Sequence, residues 1–310
     1  MARPIIIDCD PGVDDCFALL TALASPEELE IKGICTVAGN VPVETCTKNA
    51  LGLLTFTGRT DIPVYQGCPR PIQEAPVFAS HIHGETGLGA ARLPEPVVDA
   101  RPEHAVAFLI DTLRSASPAS ITLVPTGPLT NLGLALVEAP DIAEAIAEIV
   151  IMGGAFETGG NITETAEFNM YADPHAADIV MSCGRPITLI GLDATLKFRC
   201  TVERMKMLSD ARHKTTDLIS EMIGHVNDIY GEIYGEDGAA MHDPCTIGYL
   251  LAPHLFEART AHVRVETEGR RGHTAVDVHL LGDAKPNVNW VDGLDAPRLF
   301  ELLLSRITRL

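Results

Sequence analysis

The 310-residue chain predicts an α/β fold, an open, mainly parallel sheet with helices on both faces. Short apolar, β-branched runs recur along the first two-thirds of the chain, and the segments that follow them can carry helices. That alternation is the pattern of a parallel sheet covered on both faces. With 46% hydrophobic side chains over this length, the chain can bury a large core.

In chain order the strand runs are "PIIID", "IKGICTVAG", "SITLVPTG", "AEIVIMGG" and "PITLIGLD". The clearest helical segments among them are "DCFALLTALAS", "VETCTKNALGLLTFTG" and "DPHAADIVMSC". The last third changes character. "TDLISEMIGHVNDIYGEIYG" reads as a long helix, "HVRVETEGRRGHTAVDVHL" as a hairpin about a Gly/Arg turn, and "APRLFELLLSRI" as a closing amphipathic helix. No composition shift, repeat or low-complexity stretch marks a boundary, so one continuous domain over 1–310 is expected.

The formal net charge of −19 disfavours nucleic acid or an anionic membrane as a partner, because such binding rests on clustered Lys and Arg. The eight cysteines stand singly, with no C-x-x-C pair, and read as small core residues of a reducing compartment. The N-terminal apolar run is too short for a secretion signal and no stretch approaches membrane-spanning length, so a cytoplasmic protein is expected.

The most informative stretch is "IIIDCDPGVDD", in which Asp8, Asp10, Asp14 and Asp15 crowd the end of the first strand. Ligands of open parallel sheets sit outside the carboxyl ends of the strands. Asn40, Thr126, Asn161, Glu167 and Asn169 follow other strands onto that same rim. Helix-dipole stabilisation at Asp14 and Asp15 is worth about 0.3–1 kcal/mol each, too little to offset packed like charges. A hard divalent cation with oxygen ligands is the simplest explanation. An EF-hand loop starting at Asp8 is excluded, since its sixth residue is Val13 rather than Gly and its twelfth is Leu19 rather than Glu. A strand-Asp-x-Asp phosphoryl-transfer nucleophile with Mg²⁺ fits "IIIDCD" but lacks the hydroxyl residue expected after it, although Lys197 could hold a phosphate. Helix-capping acids alone explain one or two of the four aspartates.

Taken together, "DCDPGVDD", "VAGN" ending at Asn40, "HGETGLG" from His83, "PTGPLTNL", "MGG" with "GNITETAEFNMYADPHAA", "GLDAT" and "MHDP" from Met241 resemble the inosine-uridine type of nucleoside hydrolase over nearly the whole chain. The resemblance implies hydrolytic removal of the base from ribonucleosides with a tightly held Ca²⁺. It assigns the ion to Asp10, Asp15, the main-chain carbonyl of Thr126, and Asp243, with Asp10 as general base. Asp14 and Asn169 would bind the ribose 2′-hydroxyl, Asn40 and Asp243 the 3′-hydroxyl, and Asn161 with Glu167 the 5′-hydroxyl. His242 would face the leaving base and donate a proton to it, with His83 on the base side as well. The presence of both histidines resembles the branch that accepts pyrimidine or mixed nucleosides. A homodimer or homotetramer is also implied.

Other residues have plainer readings. His81 with His83 lacks a third ligand for zinc. Tyr230 and Tyr234, one helical turn apart, fit either the base pocket or a core stripe. Asp8 is expected to support its neighbours, Asp193 to hold loop structure, and "GRRGH" from Gly269 to be a solvated turn. Two alternatives remain open: a non-catalytic ribonucleoside or ribose binder, and the Mg²⁺-dependent aspartyl-phosphate phosphohydrolase.

Overall fold

The computed structural model describes residues 2–234, 237–281 and 284–310. Among the described residues nine strands form one sheet: β1 (Arg3–Cys9), β2 (Leu29–Thr36), β3 (Val64–Gln66), β4 (Ile121–Pro125), β5 (Ile146–Met152), β6 (Ile187–Ile190), β7 (Phe256–Val265), β8 (Thr274–Asp277) and β9 (Val288–Leu294). Their order is β3-β2-β1-β4-β5-β6-β9-β7-β8. Strands β1 to β6 and β9 run parallel, whereas β7 lies antiparallel to β9 and β8 antiparallel to β7. The α/β architecture and the late hairpin are therefore as the sequence predicts.

Alternation along β1 explains the two-sided core. Ile5, Ile7 and Cys9 point to one face and Ile6 to the other, as successive strand residues must. The first face is covered by helices Val13–Leu23, Lys214–Tyr234, Pro244–Leu251 and Ala296–Ile307, and the second by Ala105–Ser115, Thr130–Glu138 and Pro174–Met181. Both faces are thus dry, which is why these strands carry no polar alternation.

The connections proceed outward from β1 in one direction through β2 and β3, and from β4 in the other through β5 and β6. The crevice between the carboxyl ends of β1 and β4 is consequently the switch point of the sheet, where loops diverge and leave room for a ligand. Thr126 donates its N–H to the carbonyl of Asp8 at 2.8 Å, so the two strand ends open on that crevice in register.

β9 was not apparent in the sequence, nor were the short β3 and the helices Ala105–Ser115, Val202–Asp210 and Pro244–Leu251. β9 brings Trp290, fully buried, beneath the ends of β5 and β6, where Gly191 and Gly154 leave space for its ring. A Cβ on Gly191 would lie 2.5 Å from the indole, so the strand end and the tryptophan fit only with glycine there.

Candidate active site

The ends of β1, β2, β4 and β5 and three helix starts converge on a cleft of about 850 Å³, part of it open to solvent. Its walls include Asp10, Asp14, Asn40, His83, Thr126, Asn161, Glu167, Asn169, His242 and Asp243. Ten of the eleven residues that the resemblance assigns to the site therefore line one cavity. The eleventh, Asp15, lies behind the wall, fully buried.

The carboxylates are set by local chain geometry. Gly12 precedes helix Val13–Leu23, and Asp15, in its first turn, reaches back to accept the Gly12 N–H at 3.0 Å. Thr126 donates its hydroxyl to the other Asp15 oxygen at 2.8 Å. Asp10 is gripped by the loop after β2, accepting the Asn40 N–H at 2.7 Å, while the Asn40 amide donates to the Asp10 carbonyl and to Asp15, each at 3.0 Å. Asp243 opens helix Pro244–Leu251.

One oxygen from each of Asp14, Asp15 and Asp243 lies within 4.8 Å of the others. The triad thus includes Asp14, which the resemblance assigns to ribose. Burial pushes Asp10 and Asp243 well above the usual carboxylate range, and neighbouring aspartates push both the same way. Burial and then Asp14 raise Asp15 to about 6, against the hydrogen bonds from Gly12 and Thr126. Buried carboxylates held together in this way make an all-oxygen donor set, and the residues present fit a hard divalent cation.

The asparagines differ in what they leave free. Asn169 donates its amide to the carbonyls of Thr126 at 2.6 Å and Met152 at 3.2 Å, and the Asn40 amide is likewise engaged, so each has Oδ1 to offer as an acceptor. In Asn161 the orientation is reversed: Oδ1 accepts the Phe168 N–H at 2.8 Å, leaving the amide as donor. Glu167 caps helix Phe168–Ala172, accepting from Asn169 at 2.8 Å, Met170 at 3.2 Å and Gly154 at 3.0 Å. Burial raises its carboxyl despite these three donors.

Both histidines are pushed toward the neutral form, mainly by burial and against the pull of Asp14. His83 accepts the Val13 N–H on Nδ1 at 3.2 Å, which leaves Nε2 as its donor. His242 donates its N–H to Asp14 at 3.2 Å, and its Nδ1 meets the Thr195 hydroxyl at 2.8 Å.

Asp8 points to the opposite face of β1 and accepts from Asn131 at 2.8 Å, with its other oxygen buried and without a hydrogen bond. Asp193 accepts the N–H groups of Phe156, Glu157 and Thr158, the loop role expected of it. Tyr230 lines the cavity and also packs on the core; the side chain of Tyr234 lies outside the described residues. Lys197, which could hold a phosphate in the phosphoryl-transfer reading, is exposed, donates to the Asp292 carbonyl at 2.6 Å and does not line the cavity.

The "GRRGH" turn requires correction. Arg270 is a surface residue, but Arg271 is largely buried and lies 4.2 Å over the Tyr171 ring. It donates to the carbonyls of Tyr171 at 2.8 Å and Ala172 at 3.2 Å and pairs with Glu74 at 3.0 Å. Sequence alone could not reveal this, since a basic turn reads as solvated until the unpaired carbonyls at a helix end are placed beside it.

Residues 5–301 match the family model described as inosine-uridine preferring nucleoside hydrolase. The pyrimidine-specific ribonucleoside hydrolases RihA of Photobacterium profundum and of Shigella boydii are each 42% identical to the chain, over 310 and 311 residues, with 99% of both chains covered in each case. An uncharacterized protein of Schizosaccharomyces pombe is 42% identical over 308 residues, again with 99% of both chains covered. Among solved structures, a purine-preferring ribonucleoside hydrolase from Gardnerella vaginalis is 34% identical with a TM-score of 0.92, covering 99% of this chain and 98% of its own. The plant nucleoside hydrolase PpNRh1 is 34% identical with a TM-score of 0.93, covering 99% of each. The chain belongs to the inosine-uridine preferring nucleoside hydrolase family and is a ribonucleoside-hydrolysing enzyme.

Proposed function

We propose that the enzyme cleaves the N-glycosidic bond of ribonucleosides, with preference for pyrimidine bases, and that its cation is Ca²⁺. The observation that carries this reading is the convergence of Asp10, Asp14, Asp243 and two histidines on one cleft at the switch point of the sheet, with Asp15 buried directly behind them. Asp10, Asp15, Asp243 and the Thr126 carbonyl would hold the ion, with Asp14 beside them. When bound, the ion would supply a Lewis acid that lowers the pKa of a water and orients it toward the sugar. The donor set suits Ca²⁺, which takes carboxylate and carbonyl oxygens in flexible geometry.

Asp10 accepts the proton of the attacking water, its carboxylate held in place by the Asn40 N–H. Cleavage passes through an oxocarbenium-like ribosyl, which needs the sugar held firmly. The free Oδ1 atoms of Asn40 and Asn169 accept from the 3′- and 2′-hydroxyls, with Asp243 and Asp14 as their respective partners. Asn161 donates to the 5′-hydroxyl beside Glu167. His242 gives the leaving base its proton from Nε2, and His83 bonds the base through its own Nε2–H.

Pyrimidine preference is supported by the 42% identity to pyrimidine-specific relatives, against 34% to a purine-preferring one. The family likeness supports a homodimer or homotetramer. Eight free cysteines, seven of them buried, support a reducing, cytoplasmic setting. Among the described residues no helix is long and apolar enough to cross a membrane. Chromatography of uridine, cytidine, inosine and adenosine reactions tests the reading: free base with ribose is expected, with higher kcat/KM for the pyrimidines. Faster purine cleavage, or no release from any nucleoside, contradicts it.

A further inference from the structure

We infer that Thr195 is a positioning residue for the reaction, holding the His242 ring with Nε2 toward the leaving base. The inference rests on the proposed role of His242. Thr195 is fully buried in the single turn Leu192–Thr195 that follows β6, and its Oγ1 lies 2.8 Å from His242 Nδ1. The two ring nitrogens lie on different edges of the imidazole, so engaging Nδ1 behind the wall leaves Nε2 for the cavity that His242 lines.

The hydroxyl stands on a rigid base. The Thr195 N–H donates to the Gly191 carbonyl at 3.1 Å, Gly191 is pressed against Trp290, and Asp193 is tied to three N–H groups of the loop after β5. Opposite, the His242 main-chain N–H donates to Asp14 and its carbonyl accepts the Cys245 N–H at 3.1 Å, contacts that fix the backbone and not the ring. Without the hydroxyl, a half-turn about the Cβ–Cγ bond exchanges Nδ1 with Cδ2 and Nε2 with Cε1. A carbon then faces the base where a proton donor is needed. A hydroxyl also suits both forms of the ring, since it donates to a bare Nδ1 and accepts from a protonated one.

The test compares wild type, Thr195→Val and Thr195→Ser on uridine and on p-nitrophenyl β-ribofuranoside, whose nitrophenolate departs without being protonated. For Thr195→Val, kcat on uridine is expected to fall about 10- to 100-fold, part of the contribution typical of general acid catalysis. KM for uridine and turnover of the nitrophenyl riboside stay within about threefold, and serine restores uridine turnover. Should the valine protein not fold, Thr195→Ala is read on the same two substrates. Equal losses on both substrates would assign Thr195 a merely structural role and overturn the inference, as would an unchanged kcat on uridine. A wild type inert toward both would instead overturn the hydrolase reading, and this inference with it.

Discussion

Gly39→Ala is a sharp test of Asp10 as the base, because the substitution adds one methyl and alters no polar group. A Cβ on Gly39 would overlap Oδ2 of Asp10 and come within 2.8 Å of both its Cγ and Pro128 Cδ. Pro128 blocks retreat of the loop, so the carboxylate must yield. Restoring ordinary contact of 3.4 Å moves Asp10 Oδ2 by more than an ångström and strains the 2.7 Å bond that it accepts from the Asn40 N–H. Misplacement by about 1 Å can cost about 10²-fold in rate. The assay is steady-state release of ribose from uridine, alongside thermal unfolding. We expect kcat to fall about 10²-fold, with KM less affected and a folded protein. Gly224→Ala is the control, since its Cβ meets no atom within 4 Å, and it should keep full activity. Retention of more than about a third of kcat by Gly39→Ala would refute the reasoning that Asp10 must sit where it does.

Three further outcomes follow from the same contacts. A site that accepts from the 2′-hydroxyl through Asp14 and Asn169 leaves those groups unpaired with a deoxy sugar, so kcat/KM for 2′-deoxyuridine should fall by roughly 10⁴; comparable turnover of the two nucleosides would remove the proposed grip. Burial raises Asp8 from 3.8 to about 7, opposed by its bond from Asn131, so the folded state binds this proton more tightly than the unfolded chain. Stability from this group is therefore lost as pH rises from about 4 to about 7, on the order of 4 kcal/mol in total. Asp8→Asn keeps an oxygen for Asn131 and should unfold at a higher temperature than wild type at pH 8 but not at pH 4, whereas a lower Tm at pH 8 would contradict the assignment. Arg271→Ala removes the clamp on Tyr171 and Ala172 and loosens the segment bearing Asn161, Glu167 and Asn169; KM for uridine should rise about 3- to 10-fold with kcat within twofold, as for lost uniform binding, and an unchanged KM would show that the clamp does not position the sugar site.

Strand ends and helix starts were legible in the sequence because each is written locally. "IIIDCDPGVDD" contains the buried strand, the turn and the helix opening together, and the rim rule then places Asn40, Thr126 and Asn169 beside it. What escaped was non-local. Trp290 makes sense only once β9 is known to pair with β6, and β9 follows a hairpin that separates it from its partner by nearly a hundred residues. The Thr195 hydroxyl and the His242 ring are 47 residues apart. Arg271 lies 100 residues from the Tyr171 carbonyl it satisfies. Hydrogen-bond partners of this kind are chosen by tertiary packing, and no periodicity announces them.

Ribose release from uridine by wild type and Asp10→Asn, after removal of divalent cations and again after Ca²⁺ is restored, is the most direct measurement. The wild type is expected to lose turnover on chelation and regain it with Ca²⁺, while Asp10→Asn with Ca²⁺ restored stays at least about 10²-fold slower than the Ca²⁺-restored wild type, within the range typical of a lost general base. Full activity in the stripped wild type, or an Asp10→Asn enzyme nearly as fast as wild type, would contradict a cation-assisted hydrolysis in which Asp10 takes the proton.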